Sequence, residues 1–383
     1  MIFILKGEIE MAYLGEEIGK LGFGLMRLPM KGEDVDIEQT KQMVDMFMEK
    51  GFTYFDTAYV YTNGKSEAAV KVALVDRYPR ESFQLATKLP AWAGAKTKEE
   101  AQNMFWTSLE RTGAGYFDYY LLHNLGDNRT KTFYDFEIWD FLAEQKAKGL
   151  IKHLGFSMHD KADALDEILT KHPDMEFVQL QINYADWESA TVQSGKCYEV
   201  AKKHNKPVII MEPVKGGSLA NPPEKISSIF TKANPSASIS SWAIRYAASM
   251  DNLITVLSGM SNIEQMEDNL SYMKNFKPLT EDERQVIAHV QKALIETPSI
   301  PCTDCKYCIK DCPVNISIPG IFGAMNTYLI YDNLKGAKGS YGWITGSGGK
   351  ASQCIACGQC ESTCPQHIQI IEELQKVASV LET

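Results

Sequence analysis

Through the first 296 residues, short apolar runs alternate with longer stretches of helical period. The runs are Leu21–Leu25, Thr53–Ala58, Phe83–Leu89, Tyr119–Asn124, His153–Met158, Phe177–Asn183, Val208–Val214 and Ile254–Met260. They are short and β-like, the candidate strands. Between them Asp36–Lys50, Lys98–Thr112, Phe136–Lys148, Lys161–Lys171 and Val192–His204 repeat apolar positions every three or four residues, as amphipathic helices do. Several end in a helix-stopping pair, Lys50-Gly51, Lys148-Gly149 and His204-Asn205. Eight strand–helix units of this length predict an α/β fold, a closed (β/α)₈ TIM barrel. The competing open sheet would carry a G-x-G-x-x-G turn after its first strand. Here Gly22-Phe-Gly24 runs on into Met26 and Arg27 instead.

After residue 276 the pattern changes. A last helix and a linker are expected over 276–301, ending in Thr297-Pro-Ser-Ile-Pro301. The chain therefore divides into a barrel, 1–296, and a smaller, mainly helical domain, 297–383. Within the latter, Ile318-Pro319 and Ile368–Val377 read as helix entries. Lys335–Ser352 holds six glycines in eighteen residues, a composition that predicts a mobile loop. Met11 is an alternative start, since Met1–Glu10 has no evident role.

Cysteine usage separates the same two parts. Of nine cysteines, eight lie between Cys302 and Cys364, and the ninth is Cys197, expected as a buried apolar residue. No secretory leader or bilayer-length apolar run is present, so a reducing, cytoplasmic setting is expected and the cluster reads as metal ligation. The spacing is Cys302-x2-Cys305-x2-Cys308-x3-Cys312-Pro313, repeated as Cys354-x2-Cys357-x2-Cys360-x3-Cys364-Pro365. This is the two-cluster ferredoxin run, in which the fourth cysteine serves the other cluster. Three thiolates on a tight loop reach three corners of one cubane, and the proline turns the fourth away. Cys302, Cys305, Cys308 and Cys364 are thus expected on one [4Fe–4S] cluster, and Cys354, Cys357, Cys360 and Cys312 on a second. Two structural zinc sites are the alternative, although zinc ribbons use separated cysteine pairs rather than four packed into eleven residues.

Charge narrows the partners. With 39 Lys+Arg against 49 Asp+Glu the net charge is -10, and neither part has a basic tract. Nucleic acid and anionic membranes are disfavoured.

In a barrel, chemistry sits where strands end at the C-terminal rim. Three consecutive strands bring Asp56 and Tyr61, Lys88, and His123 there. Singly each has an ordinary structural explanation: an ion pair, an amphipathic filler, a satisfied core histidine. Together they suit proton transfer. Over Leu14–Lys292 the chain resembles the aldo-keto reductase family, through G51-F-T-Y-F-D56-T-A-Y-V-Y61, A86-T-K88, Y119-Y-L-L-H123, L154-G-F-S157, Q179-L-Q181-I-N183-Y and G259-M-S-N-I-E-Q-M-E-D268-N269. The resemblance implies hydride transfer between a nicotinamide and a small carbonyl or alcohol substrate. It implies Tyr61 as general acid, Lys88 and Asp56 as its tuning pair, and His123 as the group that orients the carbonyl.

The same resemblance places cofactor contacts at Met26, Arg27, Ser157, Gln181, Glu212, Pro213, Lys215, Gly216, Ser258, Gly259, Met260, Gln265, Asp268 and Asn269. Met158 stands where many members carry an asparagine, and Gly259 and Gln265 stand where NADP-specific members carry Lys and Arg. Without those cations a 2′-phosphate loses its charge-assisted donors. NAD(H) is therefore favoured over NADP(H). Trp92, Tyr59, Asn124 and Trp187 are weaker candidates for shaping a substrate pocket.

Nicotinamide moves two electrons and each cluster one, so FMN is an expected intermediary should the halves exchange electrons. Three readings follow. The barrel reduces carbonyls while the clusters exchange electrons with a ferredoxin-like partner; or the clusters are structural or redox-sensing; or the barrel is a non-enzymatic nicotinamide-binding relay.

Overall fold

The computed structural model describes residue 14, residues 18–126, 129–302, 304–310, 312–364 and 366–383. Met11 and Pro365 lie outside the described residues. By contacts the chain forms two compact units. The first comprises Met1–Gln181, Cys197–Met211 and Met250–Phe276, and the second Ile182–Lys196, Glu212–Ser249 and Lys277–Thr383.

The first unit holds all eight barrel strands. They are β1 (Leu21–Gly24), β2 (Tyr54–Asp56), β3 (Gln84–Leu89), β4 (Phe117–Leu125), β5 (Ile151–Met158), β6 (Phe177–Gln181), β7 (Val208–Met211) and β8 (Leu253–Ser258). Each pairs in parallel with its neighbour, and β8 closes on β1. All eight expected runs fall on strands, with ends displaced by at most three residues. β1, most of β3 and all of β8 are buried without alternation, as a sheet covered on both faces demands. The expected helices appear as Ile37–Glu49, Lys98–Thr112, Ile138–Ala147, Ala162–Lys171 and Ser194–Lys203. Asp36 and Thr97 cap two of them by accepting from Gln39 N and Glu100 N. The stop pairs act as expected: Gly51, Gly149 and Asn205 have φ of 82°, 78° and 54°. Cys197 is buried, and burial pushes its thiol up to about 11.

The second unit contains helices Glu224–Ala233, Ile239–Ala248, Glu281–Ile295, Ile318–Tyr331, Leu334–Thr345 and Ile370–Leu381. Glu281–Ile295 is the last helix expected before the linker, and its Thr280/Glu283 capping box fixes where it starts. Proline near the start of Ile318–Tyr331 marks the predicted entry. One core joins Ile316, Ile321, Phe322, Tyr341, Leu374 and Val377. A second gathers Tyr184, Leu219, Phe230, Trp242, Val290 and Tyr331.

The expected mobile loop at Lys335–Ser352 is instead largely helical, over Leu334–Thr345. Asn333 caps it by accepting from Gly336 N at 2.8 Å, and Ala337 and Tyr341 bury its inner face. Tertiary burial outweighs the backbone entropy that three internal glycines cost. Among the described residues no helix is long and apolar enough to cross a membrane.

A Cβ at Gly339 would meet nothing within 4 Å. Gly339→Ala should therefore strengthen this helix by about 0.5–1 kcal/mol. Slower amide hydrogen exchange across 334–345 checks it, and unchanged or faster exchange contradicts it.

Candidate functional site

Lys88 is fully buried near the C-terminal end of β3. A side chain there points into the barrel mouth, where an ammonium has lost its water and must find oxygen donors. Two are present: Asp56 Oδ1 at 2.6 Å and the Thr57 carbonyl at 2.7 Å. Both come from the end of β2, held along β3 by Thr57 N to Ala86 O (2.9 Å) and Tyr59 N to Lys88 O (3.3 Å). The chain then folds through Tyr61–Gly64, where Thr62 and Asn63 take left-handed φ of 51° and 55°. That turn brings the Tyr61 ring back over the ammonium, with Lys88 Nζ 4.8 Å from its centroid. The His123 ring meets Tyr61 edge-on at 5.7 Å. The four expected residues therefore converge.

The electrostatics are consistent with a charged lysine and a neutral histidine. Burial alone pulls the Lys88 ammonium down, but Asp56 and Tyr61 more than offset it and hold it above the ordinary lysine value. For Asp56 burial is the larger influence and pushes the carboxyl up, while Lys88 pulls it back. The short contact from a lysine without solvent is that of an ion pair, so we place the proton on Lys88. Burial, and then the Lys88 charge, push His123 well below the usual histidine value. Its Nδ1 is buried with no hydrogen-bond partner among the described residues.

His123 and Asn124 sit where β4 slips register against β5, between Leu122 and Leu125. Asn124 has φ of 60°, and the freed Asn124 N–H donates to Ser157 Oγ at 2.8 Å. Trp92 Nε1 donates to the His123 carbonyl at 2.7 Å, and Arg129 Nε to that of Asn124 at 3.0 Å. Such a bulge re-aims a side chain at a strand end. Sequence reading could not have found it, since nothing in Tyr119–Asn124 departs from a regular strand. Tyr59 lies under Arg111, with 4.4 Å from guanidinium carbon to ring centroid.

The expected cofactor positions in the first unit divide by exposure. Met26 and Arg27 are exposed. A Cβ at Gly259 would lie 3.9 Å from Arg27 Nη1, so the guanidinium sits where the expected cation is missing. Gln181 Oε1 faces His159 Nδ1 at 3.3 Å. Gln265 is exposed and accepts from Ser261 N at 2.8 Å. Asp268 is half-buried. Met260 is buried, and Ser258 Oγ accepts from buried Asn269 Nδ2 at 2.7 Å.

In the second unit, Glu212, Lys215 and Gly216 all take left-handed φ, with Pro213 buried between them. Lys215 Nζ pairs with Asp186 at 2.6 Å. Burial is the largest single influence and would lower that ammonium, but Asp186, Tyr331 and Glu212 together more than offset it. Asn183 Nδ2 donates to Asp186 Oδ2 (2.8 Å) and to the Glu212 carbonyl (3.1 Å), tying the two strand-exit segments together. Asp186 and Asn183 were not singled out as partners from sequence; the run Asn183-Tyr-Ala-Asp186 after β6 is the only signal they leave. Trp187 packs edge-on against Tyr246, in a packing role.

The eight clustered cysteines surround two pockets. Cys302, Cys305, Cys308 and Cys364 line one, walled by Ile318 and Phe322. Cys312, Cys354, Cys357 and Cys360 line another, walled by Val314 and Ile316. Among the described residues no three His, Cys, Asp or Glu side chains converge as a single ion would require. Tetrahedral zinc draws its sulfurs in to about 2.3 Å. Four soft donors around an apolar space fit a larger, multi-iron group.

The aldo/keto reductase family model matches residues 20–292, and a 4Fe-4S dicluster domain matches residues 301–369. The uncharacterised oxidoreductase YqkF of Bacillus subtilis is 24% identical over 302 residues, 70% of this chain and 90% of that protein. A probable aldo-keto reductase 1 of Glycine max is 30% identical over 190 residues, 47% of this chain and 51% of its own length. Among solved structures, the holo form of aldo-keto reductase AKR11C1 from Bacillus halodurans matches with TM-score 0.56 at 23% identity, covering 73% of this chain and 95% of that one. An aldo-keto reductase from Klebsiella pneumoniae in complex with NADPH matches with TM-score 0.57 at 19% identity, covering 72% and 91%. At these identities the solved structures show a common fold.

His123 is held neutral in the folded chain, whereas unfolding restores a histidine of pKa about 6.5. Its contribution to stability is complete above that value and declines as pH falls below it, because the unfolded chain then binds the extra proton. Imidazole NMR of the folded protein should show His123 uncharged at pH 6. A charged ring there contradicts the assignment.

Proposed function

The chain belongs to the aldo/keto reductase family, and we propose that it is a nicotinamide-dependent reductase of small carbonyl compounds whose C-terminal domain carries two [4Fe–4S] clusters. The observation that supports this best is the convergence of Asp56, Tyr61, Lys88 and His123 at the ends of β2, β3 and β4.

The nicotinamide, when bound, supplies a hydride to the carbonyl carbon. The chain's own residues manage the oxygen. Neutral His123 orients it by donating a ring N–H to the oxygen, while its other ring nitrogen stays an acceptor. Tyr61 donates the proton that the incipient alkoxide requires. A tyrosine with pKa about 10 is a weak acid at neutral pH. The adjacent Lys88 ammonium favours the phenolate left behind, and Asp56 keeps that ammonium charged in a site without water. In the reverse direction the same phenolate accepts the alcohol proton.

For the cofactor, Met26, Arg27, Ser157, Gln181, Ser258, Gly259, Met260, Gln265, Asp268 and Asn269 in the first unit, and Glu212, Pro213, Lys215 and Gly216 in the second, are the proposed contacts. Burial limits Met260 and Asn269 to backbone or positioning roles. Gly259 and Gln265 favour NAD(H), while the Arg27 guanidinium beside Gly259 offers a 2′-phosphate a cation and so admits NADP(H).

We place the functional boundary at 296/297. The C-terminal domain exchanges single electrons with a ferredoxin-like partner. A structural role for that domain is the second reading, favoured by one contact: Asn333 Nδ2 donates to Ser218 Oγ at 3.0 Å.

Tyr61→Phe should lower carbonyl reduction by roughly 10²–10⁴-fold, with nicotinamide affinity retained. Steady-state kinetics beside a cofactor titration decide it, and turnover equal to wild type sinks the assignment of Tyr61. Ligation can be tested separately. Cys364→Ala should remove the same electron paramagnetic resonance signal as Cys305→Ala, and Cys312→Ala the same signal as Cys357→Ala. Loss by motif, Cys312 with Cys305, would show that the ligands do not cross.

A further inference from the structure

We infer that an open groove beside the second cysteine pocket binds a flavin, of the FMN class, and is the port through which two-electron equivalents meet the clusters. The inference rests on the proposed reading that the cysteine pockets hold electron-carrying clusters.

The groove offers about 510 Å³ and is bordered by Asn315, Ser317, Trp343 and Gly346–Gly348, with Ile309 and Ile344 between them. That is within the roughly 300–1,000 Å³ of small-molecule sites. Trp343 is a large indole left 70% exposed. A planar heteroaromatic can stack on it, and stacking on an aromatic side chain needs no charge. The rest of the lining is uncharged, two isoleucines, Ile309 and Ile344, beside the polar Asn315 amide, the Ser317 and Ser347 hydroxyls and the backbone of Gly346–Gly348. Such groups suit the alternating donors and acceptors along a flavin edge.

The wall between groove and cluster pocket is a single short segment of chain. Along 314–318, Val314, Ile316 and Ile318 line the second cysteine pocket, while Asn315 and Ser317 line the groove. The left-handed φ of 54° at Asn315 and the helix start at Ile318 shape this segment. Gly349 N donates to Asn315 O at 2.9 Å, and Ile316 bridges Gly349 in parallel, so the glycine-rich segment is laid directly on it. The closeness leaves no room for a side chain. A Cβ at Gly349 would lie 2.2 Å from the Val314 carbonyl oxygen. Ile318 also lines the first cysteine pocket, so both clusters are neighbours of the same short segment.

The electron count selects flavin among planar carriers. A nicotinamide gives a hydride, two electrons at once, whereas a [4Fe–4S] cluster accepts one. A flavin exchanges either. One reduced flavin and two oxidised clusters give one oxidised flavin, two singly reduced clusters and two protons released to solvent, which balances with two clusters and not with one.

The test is an anaerobic titration of the full-length holoprotein with FMN, followed by flavin fluorescence quenching and equilibrium dialysis. Wild type should bind. Trp343→Ala should weaken binding by roughly tenfold or more, and Trp343→Phe should keep most of the affinity. Ser347→Tyr, which fills the groove, should abolish binding. Dithionite-free reduction of the clusters by photoreduced FMN should fall in parallel, with iron and sulfide content unchanged. No FMN binding up to about 1 mM overturns the proposal. So does equal binding by Trp343→Ala and wild type. A ferredoxin that reduces wild type and Ser347→Tyr equally, with no effect of FMN on either, also overturns it and assigns the face to protein docking. Absence of iron and sulfide would instead defeat the cluster reading, while the FMN titration would still report on the groove.

Discussion

The barrel's chemistry depends on one unfavourable act, the burial of the Lys88 ammonium without solvent. Removing an ion of that size from water costs several kcal/mol even after relaxation. Two oxygens at 2.6 and 2.7 Å offset that cost, and both belong to the three-residue strand β2 and its exit. The registry of β2 on β3 is therefore more than a packing matter. Tyr54, Phe55 and Asp56 pair with Gln84, Leu85 and Ala86, and a slip by one residue would send Asp56 to the opposite face. Aromatic packing on the outer side opposes that slip, through the Phe47, Phe55 and Phe83 contacts. The ion pair in turn fixes the charge that lies under Tyr61 and adds to the burial that lowers the basicity of His123.

A comparable constraint governs the tail. Each pocket takes three cysteines from one motif and the fourth from the other, so neither motif can complete a site alone. The segments 302–312 and 354–364 are bound to fold together. Their hydrophobic core reflects this, since Cys308 and Cys360 pack in the same cluster as Ile316, Phe322 and Leu374. The apolar walls raise the Cys308 thiol to about 12, with burial the leading cause. Such a thiol gives up its proton readily only to a metal, which couples ligand ionisation to cluster assembly.

Strand number, barrel closure, the four rim residues and the grouping of cysteines were all legible in the sequence, because each is written in a local pattern: period, strand-end position or spacing. What was not legible depended on distant partners. Lys215 reads as a cofactor contact, yet its nearest anion is Asp186, twenty-nine residues away on another exit segment. Ser157 reads likewise, but its Oγ already accepts from Asn124 N, a bond that exists only because β4 bulges. Glycine content misled over Lys335–Ser352. Composition reports the entropy cost of a helix and is silent on Ala337 and Tyr341 reaching a core that pays it.

The contacts within the second unit also bear on what kind of appendage the tail is. A tethered ferredoxin would touch its host through a linker. Here Tyr331, at the end of its helix, is buried in the same cluster as Tyr184, Leu219, Trp242 and Val290. Asn333 bonds Ser218, within the segment whose left-handed residues Glu212 and Lys215 are strained. Backbone of that kind persists only where surroundings over-determine it. Asn183 and Asp186 hold it from one exit segment, and Asn333 holds it from the tail. Removing residues after 296 would uncover Tyr184 and Leu219 and release one of those restraints. Loss of activity in such a truncation would then follow from an unclamped Lys215 loop, whatever the clusters do. The electron-transfer question is decided by substitutions inside the cysteine pockets, which leave Tyr331 and Asn333 in place.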